Sequence, residues 1–241
     1  MGARSGRSCR TATTGTRAGY SLWNGIVART AARRLNDAAS VVGLDLSAPM
    51  LEVARSAAKA EGVAAEWREG SAAELPLADA TFDVVFCQQG LQFFPDRQAA
   101  LREMRRVLAA SGRLVLSVWC EIERSPGFAV LADALTHHIG SEAGALMTSG
   151  PFVLSRLRTL IAEAGFREIT IRSALKTLRF PSPDEFAVRY ISGSALASLV
   201  DGADDHARAA LLAEVKEKLQ RYVDDQGLAF PIESNVAVAR K

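Results

Sequence analysis

The chain contains 241 residues, of which 49% are hydrophobic and 23% are charged, a composition typical of a globular protein with a sizeable core. The formal net charge is +2, but the first 23 residues carry four arginines and no acid, and the remainder carries 25 basic and 27 acidic residues. This balance excludes a nucleic-acid-binding surface built on charge, and no apolar run reaches the length of a membrane span. Cys9, Cys87 and Cys120 are unclustered, which argues against a disulfide framework or a zinc site and favours reduced thiols in a cytoplasmic protein.

Residues 1–23 differ from everything that follows them. They are rich in Arg, Ser, Thr and Gly, and they show no helical or strand periodicity. We therefore predict an irregular or disordered N-terminal segment over 1–23 and one folded domain over 24–241. The Arg- and Ser-rich, acid-free composition is also typical of a transit peptide, whereas the apolar core of a secretory signal is missing.

Strands and helices alternate through the first half of the chain. Apolar spacing predicts helices over 26–35, 48–60 and 97–108, and strands over 41–46, 64–68, 81–88 and 113–119. The strand at 81–88 is almost continuously apolar, as expected when helices cover both faces of a sheet. This alternation predicts an α/β fold with a parallel, doubly wound sheet.

The second half follows a less regular pattern. The spacing predicts helices over 127–138, 151–164, 185–199 and 206–223, and strands over 168–172, 176–180 and 235–240. Pro181 and Pro183 interrupt the chain before the last two helices. We interpret 182–227 as a helical insertion between the late strands.

Three polar or glycine-containing turns follow successive predicted strands. Asp45 ends the first of these strands, Gly70 lies in the turn after the second, and Cys87 and Gln88 end the third. Parallel strands end at one edge of a sheet, where ligands bind and where an acid can accept hydrogen bonds from ribose hydroxyls. The order therefore predicts a site for an adenosine-type cofactor. Taken singly, the acid also suits a helix N-terminus, and the glycine suits an ordinary turn.

The amino-acid sequence of these segments resembles that of a known family. VVGLDLSAPMLEVAR (41–55), WREGSAAELPLADATFDVVFCQQGLQFFPD (67–96) and ALREMRRVLAASGRLVLSVW (100–119) are similar to the class I S-adenosylmethionine-dependent methyltransferases. The ubiquinone/menaquinone-biosynthesis type, also called methyltransferase type 11, is the most similar. Leu75-Pro76-Leu77 and the Arg106-Val107-Leu108 helix end are its most characteristic features.

The resemblance implies a Rossmann-like, mostly parallel sheet with a final antiparallel strand, which 235–240 would supply. It implies S-adenosylmethionine as the cofactor, with Asp45 binding both ribose hydroxyls. Leu46 and Met50 would flank the adenine, although a methionine on an apolar helix face is usually core. The full set of implied cofactor-binding residues is Gly25, Asp45, Leu46, Met50, Gly70, Ser71, Ala72, Cys87 and Gln88.

One segment departs from the family pattern. The family has an apolar strand and a glycine-rich loop under the methionine part of the cofactor, and the matching residues here are 19–25, of which only Gly25 agrees. No apolar strand precedes this loop in the sequence. An alternative interpretation is therefore a methyltransferase fold whose cofactor binding is impaired or lost. A further hypothesis is a lost base in the gene, which would make residues 1–23 an out-of-frame product.

The function implied is direct displacement of a methyl group from the sulfonium to a small-molecule acceptor. The donor is already activated, so alignment supplies most of the rate and no enzyme nucleophile is needed. No metal site is predicted and catalytic residues stay unassigned, with His137 and His138 as the paired candidates for a general base. The insertion would cover an apolar or aromatic acceptor, although ordinary packing explains its apolar residues equally well. Those residues are Phe186, Tyr190, Leu196 and Leu199.

Two other classes of function are less consistent with the sequence. A nicotinamide-dependent oxidoreductase also uses an acid after the second strand, but it needs a G-x-G-x-x-G turn that this sequence lacks. A protein that only binds partners would leave the strand-end residues unexplained.

Overall fold

A computed structural model describes residues 18–19, 25–35, 41–148, 154–194 and 196–241. Most of the predicted irregular segment, and residues 20–24 of the glycine-loop region, lie outside the described residues. Within the described ranges, no helix is both long and apolar enough to cross a membrane.

The first half of the chain alternates between strands and helices, as predicted. A helix separates most of these strands, but a loop alone joins the strand at Glu66–Glu69 to the strand at Phe82–Gln88. The elements are β1 (Ala18–Gly19), α1 (Ile26–Leu35), β2 (Val41–Asp45), α2 (Ala48–Ala60), β3 (Glu66–Glu69), β4 (Phe82–Gln88), α3 (Arg97–Val107) and β5 (Leu108–Trp119).

The second half adds six helices and three strands among the described residues. These are α4 (Pro126–His138), α5 (Ser141–Thr148), α6 (Leu154–Glu163), β6 (Arg167–Phe180), α7 (Pro183–Ser192), α8 (Leu196–Asp201), α9 (Asp205–Leu219), β7 (Val223–Asp224) and β8 (Gly227–Arg240). Local capping fixes two of these helix starts, since Ser182 accepts a hydrogen bond from the Glu185 amide and Asp204 accepts one from the Ala207 amide.

The strands form one sheet in the order β3-β2-β1-β4-β5-β8-β6, with β7 paired to β8. Strands β1 to β5 pair in parallel, and β8 runs antiparallel to both β5 and β6. The predicted Rossmann-like sheet with a final antiparallel strand is therefore confirmed. Its carboxyl edge carries the ends of β2, β3 and β4, as the sequence predicted.

The centre of the sheet differs from the sequence expectation. Residues Ala18 and Gly19 form a short strand that pairs with β2 on one side and β4 on the other, at Val42 and Val85 for Gly19. Two residues are too few to show any apolar periodicity, which explains why the sequence gave no sign of this strand.

The last two strands extend beyond the rest of the sheet. Trp119 at the end of β5 pairs with Ser234, and the part of β8 before that residue continues to pair with β6 as far as Leu228 and Phe180. The two strands therefore form a ribbon that projects past the carboxyl edge. Sequence spacing predicts two short strands where the structure has one long β6, because this edge strand is mostly exposed and lacks a continuous apolar face.

This layout gives two large hydrophobic cores and a smaller cluster formed by Ala28, Ala32 and Val41. The main core lies on one face of the sheet and includes Leu101, Met104 and Leu114. The second core joins α4, α5, α7, α8 and α9 to the projecting ribbon, and Phe186 and Phe230 are fully buried in it. We call these five helices the cap. The cap helices differ from prediction in their bounds, since 141–148 forms a helix that spacing did not reveal and 185–199 is divided into α7 and α8.

Candidate functional site at the carboxyl edge of the sheet

Asp45 lies at the end of β2, half-buried, where the chain turns into α2. Its Oδ1 atom accepts a hydrogen bond of 2.8 Å from the Ser47 amide, so the carboxylate forms an Asx turn directly before α2. Ser47 occupies the cap position but forms no side-chain cap bond. The second oxygen of Asp45 makes no hydrogen bond within the described residues, which leaves it available to a ligand.

The neighbouring side chains form an open surface rather than a closed pocket. Leu46 is 70% exposed directly after Asp45, and Met50 is half-buried in the first turn of α2. An exposed leucine beside a carboxylate offers an apolar surface next to a polar group, the combination that an adenosine requires.

The turn after β3 approaches Asp45 directly. The Gly70 amide donates a hydrogen bond of 3.0 Å to the Asp45 carbonyl oxygen, and Asp45 pairs with Glu69 across the two strands. Ser71 Oγ accepts a bond from the Ala73 amide, and Ala72 is buried. The predicted residues at the ends of β2 and β3 therefore come together in the structure.

Arg106 explains why the Leu75-Pro76-Leu77 motif and the end of α3 occur together. Its guanidinium donates to the carbonyl oxygens of Leu75 and Leu77, and it forms ion pairs with Glu103 and Asp79. Glu103 in turn accepts a bond of 2.8 Å from the Leu75 amide, and the bond to Arg106 lowers the pKa of Glu103. The loop that follows the Gly70 turn is thereby fixed to α3.

Gly25, the one glycine of the first loop that agrees with the family, begins α1 with a φ of 67°. A Cβ atom here would lie 2.3 Å from the Trp67 ring, and a Cβ on Gly43 of β2 would also lie 2.3 Å from that ring. Glycine is therefore required at 25 both by its left-handed backbone and by the close approach of Trp67. The other loop residues, 20–24, lie outside the described residues.

Cys87 and Gln88 end β4 with different surroundings. Cys87 is fully buried in the main core, and burial raises the pKa of its thiol to about 12, so the sulfur is a neutral thiol and not a nucleophile. Gln88 pairs with Ser117 of β5, and its side-chain oxygen is buried without a hydrogen-bond partner. The roles of both residues toward a cofactor stay predictions.

Two further glutamines are buried at this edge: Gln89, which the sequence also allows as a surface residue beside Gln88, and Gln92, which the sequence does not single out. Gln89 and Gln92 follow β4 and are both more than nine-tenths buried. Gln89 Nε2 donates to Ser234 Oγ at 3.1 Å, and Gln92 Oε1 accepts from the Trp119 amide at 2.9 Å. Ser234 is 145 residues from Gln89, so no local pattern could have revealed the first contact.

The paired histidines lie away from this edge. His137 and His138 contact the Glu214 carboxylate at 3.1 and 2.7 Å, and Lys218 contacts it at 2.7 Å. These bonds, chiefly the one from Lys218, lower the pKa of Glu214 to about 2. Since the histidines are the last residues of α4, they lie about 15 Å along the helix from its start near β5. Their contacts join α4 to α9.

Most of the apolar residues proposed to face an acceptor form the cap core instead. Phe186 and Leu196 are buried in that core, with Leu199 packed against it. Tyr190 is half-buried beside Phe128, and burial raises the pKa of its hydroxyl. A cavity of about 350 Å³ lies among α7, α8 and α9, lined by residues that include Ile191, Val200 and Leu211. Asp45 does not line this cavity.

Residues 22–116 match the profile of a family described as a methyltransferase domain. A demethylmenaquinone methyltransferase from Thermus thermophilus is 45% identical over 78 residues, which are 32% of this chain and 36% of that protein. One from Lactiplantibacillus plantarum is 44% identical over 86 residues, 35% of this chain and 36% of that protein. The chain thus spans about a third of the length of these curated relatives.

Solved structures share the fold over almost the whole chain. The crystal structure of the YcgJ protein from Bacillus subtilis covers 94% of this chain and 92% of its own, with a TM-score of 0.58 and 19% identity. A Haemonchus contortus phosphoethanolamine N-methyltransferase 2, solved with S-adenosylhomocysteine, covers 95% of this chain and 49% of its own, with a TM-score of 0.57 and 21% identity. At these identities the likeness concerns the fold.

Residues 22–116 thus match a methyltransferase domain, and the sheet order and the shared fold agree with that match. Over about a third of its length, the chain is similar in sequence to demethylmenaquinone methyltransferases, in agreement with the resemblance described above. These similarities support S-adenosylmethionine as its cofactor.

Proposed function

We propose that this chain transfers a methyl group from S-adenosylmethionine to a small-molecule acceptor. The observation that carries the proposal is the juxtaposition of Asp45 with the Gly70 turn at the carboxyl edge. One oxygen of the carboxylate is held by the Ser47 amide and the other is available for a sugar hydroxyl. When bound, the cofactor supplies a methyl group already activated as a sulfonium.

The residues present fit an adenosyl group. Asp45 would bind the ribose hydroxyls, since a half-buried carboxylate is an acceptor for both. Leu46 and Met50 would flank the adenine, and Ser71 and Ala72 would contact its edge. Gly25, Gly70, Cys87 and Gln88 would complete the set. Gly70 has little room for a side chain, because a Cβ there would lie 3.0 Å from Pro76.

The contribution of the protein to the reaction is alignment. Asp45 and the Gly70 turn are fixed by backbone hydrogen bonds, and the following loop is fixed by Arg106. A rigid edge of this kind orients the donor against an acceptor and reduces the entropy lost on reaching the transition state. Cys87 takes no covalent part, because its thiol stays protonated.

The acceptor is proposed to be apolar or aromatic. Trp119 at the end of β5 and Phe128 at the start of α4 have ring centroids 6.5 Å apart, and Phe128 and Tyr190 have centroids 5.0 Å apart. These half-buried rings lie where the cap meets the sheet edge, and they support an acceptor with an apolar face. The unpaired, buried Cys87 and Cys120 are consistent with a cytoplasmic location, which we also propose.

Calorimetric titration of the full chain with S-adenosylhomocysteine tests the proposal. We expect a micromolar Kd for the wild type and a Kd weaker by about tenfold for Asp45→Asn, which loses the charge but keeps an oxygen for the Ser47 amide. Glu69→Gln is the matched control, because Glu69 is an exposed carboxylate at the end of the neighbouring strand.

An unchanged Kd is expected for the control. Equal affinity in the wild type and Asp45→Asn would contradict the assigned role of Asp45. No binding by a folded wild type would support the alternative, a methyltransferase fold with lost cofactor binding.

A further inference from the structure

From the end of β4 to the first turn of α3, three glutamine oxygens are buried without a hydrogen-bond partner. They belong to Gln88, Gln89 and Gln98. A buried carbonyl oxygen without a donor costs about 1–3 kcal/mol, so native proteins seldom leave one unexplained. Gln88 and Gln89 are adjacent at the carboxyl edge, where a bound molecule could supply the missing donor, whereas Gln98 lies in α3.

Gln89 is the most constrained of the three. It is 9% exposed, and its backbone lies in the left-handed region with a φ of 53°. Its amide nitrogen donates to the Ser117 carbonyl, and its side-chain Nε2 donates to Ser234 Oγ at 3.1 Å. Both donors are thus fixed, and the side chain extends from β4 across the end of β5 to β8. Such local strain is characteristic of functional positions.

Gln92 provides an internal comparison. It is as deeply buried as Gln89, but its oxygen accepts a hydrogen bond from the Trp119 amide. The structure therefore satisfies one buried glutamine at this edge and leaves the oxygen of the other without a donor. A purely structural role therefore explains the burial of Gln92, but it does not explain the unpaired oxygen of Gln89.

The position of Gln89 across the sheet separates it from the cofactor residues. Asp45 ends β2, and the sheet order places β1, β4 and β5 between that strand and β8. At about 4.8 Å per strand, the contact between Gln89 and Ser234 lies roughly 15–19 Å from the end of β2. This span is long enough to place Gln89 beyond an adenosyl group bound at Asp45, on the acceptor side.

Aromatic rings lie on that side. Trp119 pairs directly with Ser234, so the two side chains share one face of the sheet. Phe128 lies 6.5 Å from Trp119 between ring centroids and carries the aromatic surface into the cap. An oxygen that can only accept a hydrogen bond therefore lies next to a half-buried apolar surface.

We propose that Gln89 binds the methyl acceptor, with its side-chain oxygen accepting a hydrogen bond from an O–H or N–H group of an aromatic acceptor that packs against Trp119. This inference rests on the proposed function. Gln89 would then determine specificity. A methyl acceptor that lacks an O–H or N–H group would leave the Gln89 oxygen unpaired, and a site of this kind rejects such analogues strongly. Ser234 is the positioning residue, since its hydroxyl fixes the amide. Because the oxygen is closed to water in the free protein, the surrounding side chains rearrange on binding.

Titration of 15N-labelled full chain by NMR, with and without saturating S-adenosylhomocysteine, tests the inference with two probes. The probes are 1-naphthol, which has an O–H group that can donate a hydrogen bond, and 1-methoxynaphthalene, which has none. We expect the wild type to bind 1-naphthol more tightly by about fivefold to tenfold, and Gln89→Met to reduce this preference to less than about twofold. The side-chain amide signal of Gln89 should shift with 1-naphthol.

Ser234→Ala and Gln98→Met complete the test. Ser234→Ala leaves Gln89 in place without its anchor, so it should at least halve the preference and serves as the test if Gln89→Met does not fold. Gln98→Met removes a similarly unpaired oxygen from α3 and should retain the wild-type preference. The thermal midpoint of each variant reports folding.

Any one of three results would overturn the inference. The wild type could bind the two probes equally, it could bind neither, or folded Gln89→Met could retain the preference for 1-naphthol. Failure of S-adenosylhomocysteine to bind the wild type would instead count against the proposed function, because the probe preference is measured without it as well.

Discussion

The core of the sheet and the core of the cap differ in how their rings are arranged and in which parts of the chain they join. The main core beneath the sheet is built from aliphatic side chains of consecutive strands and helices, such as Leu101, Leu114 and Leu116. The cap core is also mainly aliphatic, but it contains rings in contact, with Phe186 5.0 Å from Phe230 and 5.4 Å from Phe128 between ring centroids. These three rings come from β8, α4 and α7, so the cap depends on contacts between distant parts of the chain.

The junction between the regions is narrow and tightly packed. A Cβ on Gly127 would lie 2.4 Å from the Phe230 ring, so α4 begins directly on the projecting part of β8. The cap is therefore attached through the β6–β8 ribbon rather than through the edge that carries Asp45. Loss of the cap core should consequently affect acceptor binding more than cofactor binding.

Phe186→Ala is the largest expected perturbation. Removing a fully buried phenylalanine should lower the free energy of unfolding by about 3–5 kcal/mol, measured by denaturant unfolding. Val188→Ala on the same helix is the matched control and should have little effect, because Val188 is 52% exposed. The folded fraction of Phe186→Ala should keep its affinity for S-adenosylhomocysteine within about twofold. A large loss of affinity would show that the two regions are not separable.

Arg106→Met tests the sheet side of the comparison. It should lower the free energy of unfolding by about 2–3 kcal/mol, since charge-assisted bonds to the loop at 75–79 are lost and the Glu103 carboxylate loses its partner. We also expect weaker binding of S-adenosylhomocysteine, measured by calorimetry. Arg102→Met, an exposed arginine on the same helix, is the control. Stability equal to that of the control would refute the proposed role of Arg106.

Glu214→Gln should give the smallest effect, and the effect should depend on pH. The folded pKa of Glu214 is lowered from 4.5 to about 2, so the ionised form contributes stability above about pH 4.5. We expect the free energy of unfolding of the wild type to exceed that of Glu214→Gln by about 1 kcal/mol at neutral pH. This difference should disappear as the pH falls from 4.5 toward 2. Denaturant unfolding measured across this pH range checks the expectation, with Glu217→Gln at an exposed position as the control. A difference that does not depend on pH would contradict the role assigned to Glu214.

The sequence predicts the sheet better than the cap because sheet signals are local. The buried strands at 41–45 and 82–88 have short apolar runs that end at candidate site residues, so both the parallel order and the position of Asp45 follow from the chain. The two-residue strand at Ala18–Gly19 is the exception, since its pairing depends on strands from other parts of the chain.

The cap and the role of Gln89 could not be derived in this way. The contacts of Phe128 with Phe186 and Phe230 join three distant segments, and helix periodicity does not predict which apolar face meets which. Gln89 differs from Gln92 only in the partner that each side chain finds. Both cases depend on tertiary contacts, which a single sequence does not specify.

A crystal structure of the full chain with S-adenosylhomocysteine tests the central claim most directly. The account predicts that the ribose hydroxyls lie within hydrogen-bonding distance of the Asp45 carboxylate and that the sulfur faces the Trp119 side of the sheet edge. A ligand bound in the cavity among α7, α8 and α9, with Asp45 uncontacted, would contradict it.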